Sequence, residues 1–410
     1  IKKIESCRVC KKKNLSKVFS FGPTPLANEF IKKENLDKGE VFFPLDVYFC
    51  NNCYFLQLGY VVDPKILFGN YVYVSSTSPV FIDHFKEFAK DVTKRFNLDS
   101  KSLVIDIGSN DGILLKPFLE NKIKVLGIEP VTHIAKIAKK DGIDTIDEYF
   151  SLSLSKKIVK KYRKAKVVTA TNVFAHIDNI DEVVLGVKEL LDQDGIFIIE
   201  APYLTDFLQK RYFDLVYHEH LSYWSVAPLV TFFKRFDMTV FDVQKVSSHG
   251  GSIRIFVKKN KSSHKIEKSV AGFIKKERTL GLHKTKTYQD FANLVLENKI
   301  ELLKLLASLK VKNKKIVGFG APAKGNTLLN YFKTGNDILD YIVDDSPFKQ
   351  GLYSPGMHIP VKPSSALQDV PPDYILILAW NFADSIMKRY SFLEKKGVKF
   401  IIPVPVPKIV

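Results

Sequence analysis

The stretch Leu103-Val104-Ile105-Asp106-Ile107-Gly108-Ser109-Asn110-Asp111-Gly112 decides how this chain is read. Its first residues form a short apolar run of the kind that fills a buried strand, and the run stops at a glycine. A glycine there lets the backbone approach a ligand. Outward from it, residues 125–129, 167–170 and 195–200 repeat the apolar pattern, with helical periodicity between them. Strands alternating with helices imply a parallel, doubly wound sheet. Two late strands, near 239–243 and 252–257, are expected to close it.

The second strand ends in Glu129, and an acidic residue at that point can bind a ribose diol. A dinucleotide site wants three glycines as G-x-G-x-x-G. Here only Gly108 and Gly112 stand, with Asn110 and Asp111 between them. A polar, acidic loop repels a pyrophosphate and suits a cationic sulfonium with an amino-acid tail. S-adenosylmethionine is therefore the expected cofactor, against the blander reading of an ordinary strand-to-helix turn. The late strand pair is also a habit of class I methyltransferases, so the core is expected to be Rossmann-like.

A second cluster of chemistry lies at Tyr217-His218-Glu219-His220-Leu221-Ser222-Tyr223, after a late strand of the sheet. Substrates bind at that end of doubly wound folds. Histidine titrates near neutral pH and is the usual general base. Metal ligation by His218, Glu219 and His220, or a purely structural histidine cluster, are the competing readings. Thr171-Asn172-Val173-Phe174-Ala175-His176 follows another strand, where His176 is as readily a core or capping residue as a pocket residue.

The chain has four cysteines, Cys7, Cys10, Cys50 and Cys53, in two C-x-x-C pairs. Two residues between cysteines let both thiolates face one tetrahedral ion, which predicts a structural zinc site with an all-thiolate shell. Two disulfides or a redox pair are the alternatives. Neither a secretion signal nor a strand–helix–strand context supports them. A closed shell leaves no open position, so folding work is expected of this site rather than catalysis.

With 410 residues, two or three domains are expected. No apolar run is long enough for a transmembrane helix, and Ile1-Lys2-Lys3-Ile4-Glu5 lacks a signal-peptide core, so a cytoplasmic protein is expected. The chain does not begin with Met, and further residues are expected before it. The formal charge of +18 raises nucleic-acid binding, but the lysines are scattered along the whole length; a small anionic substrate fits as well. Around 79–96, Phe81, Phe85, Phe88 and Val92 have helical spacing, and 260–312 reads as a lysine-rich helix pair. A second α/β unit follows: strand and glycine turn at 315–320, helix at 323–332, strands at 340–345 and 374–380, and an edge strand at 400–403. Its G-x-G turn could hold a second nucleotide. The preferred reading is a vestigial Rossmann half that closes over a substrate.

Three groups of residues together resemble the nucleotide-sugar C-methyltransferases of deoxysugar biosynthesis. The first is Cys7-Arg8-Val9-Cys10 with Pro23-Thr24-Pro25-Leu26-Ala27-Asn28 and Cys50-Asn51-Asn52-Cys53. The second is Ile107-Gly108-Ser109-Asn110-Asp111-Gly112 with Tyr217-His218-Glu219-His220. The third is Gly318-Phe319-Gly320-Ala321-Pro322-Ala323-Lys324-Gly325-Asn326 with Asp344-Asp345-Ser346-Pro347-Phe348-Lys349-Gln350-Gly351. The resemblance implies a zinc-binding module at 1–70, an S-adenosylmethionine-dependent methyltransferase domain at 71–260, and a helical linker with a C-terminal Rossmann-like domain at 261–410. It implies a nucleotide-diphosphate 4-ketosugar as substrate, methylated at C3, with no nucleic-acid or membrane partner and a monomer or small homo-oligomer. His220 looks like the general base, assisted by Glu219 and Tyr217. Tyr71 is similar to a tyrosine lining the sugar pocket, with Tyr73 the fallback. Asn172 and His176 look like pocket residues near the methyl donor, and Lys324 and Lys349 could contact the diphosphate or sugar. Asp106 departs from the family pattern, where Glu is frequent; both are acidic. An O- or N-methyltransferase and a zinc-ribbon nucleic-acid-binding protein are the rival readings.

Overall fold

All five residues of the strand Leu103–Ile107 are buried. In the computed structural model, which describes residues 1–67, 75–77 and 79–410, this strand lies within a seven-stranded sheet. Across the sheet the order is Met238–Val246, Ser252–Lys259, Leu191–Pro202, Ala165–Thr171, Leu103–Ile107, Lys124–Ile128 and Thr145–Ile146. Leu103–Ile107 pairs in parallel with both neighbours. Ser252–Lys259 runs antiparallel between Leu191–Pro202 and Met238–Val246, the closing pair expected of a class I methyltransferase core.

Parallel strands buried on both faces require helices on both sides. Phe81, Phe85, Phe88 and Val92 of the helix Pro79–Arg95 pack with Val104, Ile196 and Phe256 on one face. Ile180–Leu190 and Val226–Lys234 cover the other, around Phe174, Phe197 and Trp224.

The cysteine-bearing segment forms its own antiparallel sheet of Leu15–Thr24, Phe43–Cys50 and Leu56–Leu58. Gly22-Pro23-Thr24-Pro25 reads as a turn from sequence, but its first three residues are the irregular end of the first strand, with Pro23 opposite Pro44 and a register shift before it. The fourth strand of this sheet comes from far along the chain: Ser222↔Gln57 and Tyr223↔Leu56.

In the C-terminal unit Val361–Lys362, Ile342–Val343, Ile316–Phe319, Tyr374–Ile377 and Lys399–Ile402 are parallel, and Lys408–Ile409 adds antiparallel. The expected edge strand near 400–403 is thus covered by Lys408–Ile409. The far edge, Val361–Lys362, is two residues long and too short to show a period.

The lysine-rich stretch contains the helices Lys268–Thr279 and Thr285–Val311. The longer one joins two units: Tyr288, Phe291, Val295, Leu302 and Leu306 share a core with Val18, Val47 and Phe49 of the cysteine-bearing sheet and with residues of the C-terminal unit. Glu277, on the shorter helix, accepts from the Val226 and Ala227 amides at 2.6 and 3.1 Å. It thereby satisfies open donors at the start of Val226–Lys234. Among the described residues no helix is long and apolar enough to cross a membrane.

Candidate active site

The loop after Leu103–Ile107 adopts left-handed backbone at Gly108 (φ 70°), Asn110 (φ 49°) and Gly112 (φ 81°). A Cβ on Gly108 would lie 2.7 Å from Cγ2 of Val173, so the glycine brings this loop against the segment that begins at Asn172. Glu129 is buried and ties the loop down: one carboxylate oxygen accepts from the Asn110 amide and the other from the Val131 amide, each at 2.9 Å. Burial raises its pKa against those two bonds. Asn110 and Asp111 accept in turn from the amides of Ser75 and Ser76, at 2.9 and 3.2 Å. Ser109 Oγ, Asp111 Oδ1 and Asn172 Oδ1 are buried without a hydrogen-bond partner among the described residues. Buried polar atoms are normally satisfied, so this cluster fits a polar ligand lying along the loop. Gly108→Ala is expected to destabilise the fold by about 1–3 kcal/mol through backbone strain and the Val173 contact. Denaturant unfolding checks this, and cofactor affinity should fall with it.

Asp106, in the strand itself, is buried and accepts from Thr169 Oγ1 at 2.6 Å. Burial pushes its carboxyl from 3.8 up to about 7. A carboxyl raised in the folded state favours folding below its unfolded pKa, and that contribution is lost as pH rises through the folded value. Between these two values Asp106→Asn should show a smaller loss of stability with rising pH than the wild type. Melting curves across the window test it; parallel curves would remove Asp106 as the cause.

The segment 217–220 packs as a tight turn, with the His220 amide donating to the Tyr217 carbonyl at 2.9 Å. His220 Nδ1 lies 2.7 Å from the Leu215 carbonyl, which accepts only, so this nitrogen carries the proton. Nε2 is then the basic nitrogen, and the Tyr217 hydroxyl lies 2.8 Å from it. The His176 ring stands edge-on to the His220 ring, with centroids 4.9 Å apart. Because Val173 touches Gly108, one loop connects the cofactor turn to the histidine pair. Glu219 is buried and accepts from Asn28 Nδ2 at 2.6 Å; burial pushes its carboxyl up to about 7, and the Asn28 bond opposes this. His218 turns away. Its Nε2 donates to the Phe43 carbonyl at 3.2 Å, and burial lowers its pKa to about 4. The segment therefore does not present both histidines to one ion. Tyr71 and Tyr73 lie outside the described residues.

The four cysteine Sγ atoms lie within 4.8 Å of one another, and none forms a disulfide. The Cys7–Cys53 and Cys10–Cys50 sulfurs are each 3.5 Å apart. A tetrahedron built on Zn–S bonds of about 2.3 Å has edges of about 3.8 Å, so the donor set fits zinc.

Lys324 sits over the Trp380 ring at 4.0 Å and donates to Asn381. Trp380 Nε1 donates to the buried Asp214 at 2.5 Å. Burial pushes the Lys324 ammonium down and the Asp214 carboxyl up, and each opposes the other's shift. Lys349 is likewise engaged, donating to the Ala321 carbonyl at 2.9 Å. A cavity of about 960 Å³ opens between the core and the C-terminal unit, lined by His84, Lys210, Tyr212, Lys245, Arg254 and Trp380, among others. His84 and Arg254 converge on Glu200, at 2.6 and 3.1 Å. Asn28, Asp214 and this Glu200 cluster were not singled out as site residues from the sequence. Asn28 carried a signal only as part of the Pro23–Asn28 motif, and Glu200 only as the end of the strand at 195–200.

Three family models match successive parts of the chain. "Putative zinc binding domain" covers residues 7–68, "Methyltransferase domain" 81–243, and "C-methyltransferase C-terminal domain" 247–405. The C-methyltransferase NovU of Streptomyces niveus is 35% identical over 411 residues, spanning 100% of this chain and 98% of the relative. Among solved structures, the magnesium protoporphyrin IX methyltransferase ChlM of Synechocystis PCC 6803 with bound SAH is 14% identical, with a TM-score of 0.35 over 44% of this chain and 83% of that one. The PH0226 protein of Pyrococcus horikoshii OT3 is 12% identical, with a TM-score of 0.37 over 48% of this chain and 99% of that one. S-adenosylmethionine is the cofactor of the seven-stranded core, and zinc is the metal of the cysteine cluster. The match to a C-methyltransferase runs through all three units, and the chain belongs to the C-methyltransferase family.

Proposed function

We propose that this enzyme methylates C3 of a nucleotide-diphosphate-linked 4-keto-deoxysugar, with His220 as the base that forms an enolate. The observation that carries the reading is the state of His220: Nδ1–H is spent on the Leu215 carbonyl, which leaves Nε2 as a fixed acceptor beside Tyr217. A 4-keto group acidifies the neighbouring C3–H. His220 Nε2 takes that proton, and the bond to Leu215 steadies the imidazolium that results. Tyr217 or His176 donates to the oxyanion that develops at the former ketone. Glu219, held by Asn28, assists from the same turn. The cofactor, when bound, supplies an electrophilic methyl group. Gly108, Asn110, Asp111, Gly112, Glu129 and Asn172 hold the donor, with Glu129 on the ribose diol. Lys324 and Lys349 face the diphosphate or sugar from the C-terminal unit. On this reading the enzyme works in the cytoplasm, as a monomer or small homo-oligomer, without a nucleic-acid or membrane partner.

The test is mass spectrometry of the purified protein with S-adenosylmethionine and a panel of dTDP- and GDP-linked 4-keto-6-deoxysugars in deuterated water. One added methyl with deuterium wash-in at a single ring position supports the reading. Methylation without exchange at carbon indicates an O- or N-acceptor. No product from any sugar, despite cofactor binding, overturns the substrate class.

A further inference from the structure

Arg8 stands between two metal ligands, Cys7 and Cys10, and is only 4% exposed. Its reach extends well beyond the cysteine cluster. Nη1 donates to the Leu58 carbonyl at 2.9 Å and to the Leu221 carbonyl at 3.3 Å. Nε lies 3.5 Å from Asp178 Oδ1. The Arg8 amide donates to Gln57 Oε1 at 2.8 Å, and Gln57 is the residue opposite Ser222 in the shared sheet. Leu221 directly follows His220, and Asp178 lies just beyond His176. One guanidinium therefore spans the two segments that carry the edge-on histidine pair.

We propose that Arg8 is a positioning residue through which the metal module sets the placement of His220 against His176. A knuckle chelated at both ends has little freedom, and the planar guanidinium offers donors in a fixed fork. Fixing the knuckle thus fixes the Leu221 carbonyl on one side and the Asp178 loop on the other. Asn28 acts in the same direction from the same module by holding Glu219. Burying a cation with one long ion pair is a poor way to gain stability alone. The arrangement is better explained by the geometry it imposes. The catalytic part of the inference rests on His220 being the base.

The experiment uses the zinc-loaded full chain with isotope-labelled histidine. Arg8→Met keeps the aliphatic stem and removes the donors; Asp178→Asn leaves the cysteine knuckle untouched. Zinc content, S-adenosylmethionine affinity, turnover of the accepted sugar and the imidazole nitrogen shifts of His176 and His220 are read together. Arg8→Met is expected to keep its zinc and bind the donor like the wild type. Its kcat should fall up to about 100-fold, more than KM changes, because small displacements of reacting groups have effects of that size. The nitrogen shifts of both rings should move, and Asp178→Asn should move those of His176. Wild-type shifts and kcat in zinc-loaded Arg8→Met overturn the proposal. Should Arg8→Met fail to fold, wild-type His176 shifts in Asp178→Asn overturn it instead. If His220→Ala retains turnover, the base assignment fails, yet the nitrogen shifts still decide whether Arg8 places the rings.

Discussion

His220→Ala is expected to lower kcat by about 100- to 10,000-fold, the range spanned by general acid–base catalysis, with S-adenosylmethionine affinity unchanged. The expectation follows from the proposed role of Nε2 as proton acceptor. Cofactor affinity should persist because Glu129 holds the donor loop through the Asn110 and Val131 amides. His220→Asn separates chemistry from packing: its amide can still donate to the Leu215 carbonyl, but it offers no basic nitrogen. Single-turnover kinetics and calorimetry with S-adenosylmethionine check both variants. If His220→Asn retains near-normal turnover, the base lies elsewhere. Tyr217→Phe keeps the ring contact at 4.0 Å and loses the hydroxyl, so a smaller fall in kcat is expected from it.

Cys50→Ser should have the other large effect, at a distance from the chemistry. One of four thiolates is lost, and structural zinc in small thiolate and imidazole sites contributes about 10–16 kcal/mol of apparent binding energy to folding. The variant is expected to lose its metal and the order of the sheet around it. That sheet includes Ser222–Tyr223, which directly follow the 217–221 turn. Methyl transfer should therefore drop to background while S-adenosylmethionine still binds, because the donor loop is held by Glu129 and the Asn110 and Val131 amides, outside the metal module. Metal analysis, donor calorimetry and the turnover assay together check this. Full turnover by a protein stripped of zinc would show that the module does not support the catalytic segment.

Six strands of the seven-stranded sheet were legible because strands covered on both faces read as continuous apolar runs, and a glycine marks where the first one stops; the seventh, Thr145–Ile146, is only two residues long and was not. The strands Val361–Lys362 and Lys408–Ile409 were not, since two residues display no period and their existence depends on a neighbour's open edge. The cysteines were legible because a C-x-x-C spacing is itself the geometry of chelation. For His220, the sequence showed only that a base was at hand. Which nitrogen carries the proton was set by the Leu215 carbonyl, through a turn no pattern announces. The stretch 260–312 read only as a lysine-rich helix pair, yet the longer helix buries Tyr288, Phe291 and Leu302 between two units.

Taken alone, then, the sequence determined what short-range chemistry determines: the core strands, the glycine turns, the cysteine pairs and the cluster of bases after a late strand. Only the tertiary structure decided that Ser222–Tyr223 completes the sheet of the metal module and that Asn28 reaches Glu219. It alone brought Arg8 to the carbonyl of Leu221, across a separation of 213 residues. Periodicity and spacing report on neighbours within a turn or two of chain. A hydrogen bond between remote segments depends on how whole sheets dock, and that docking is settled by the buried apolar surfaces they share.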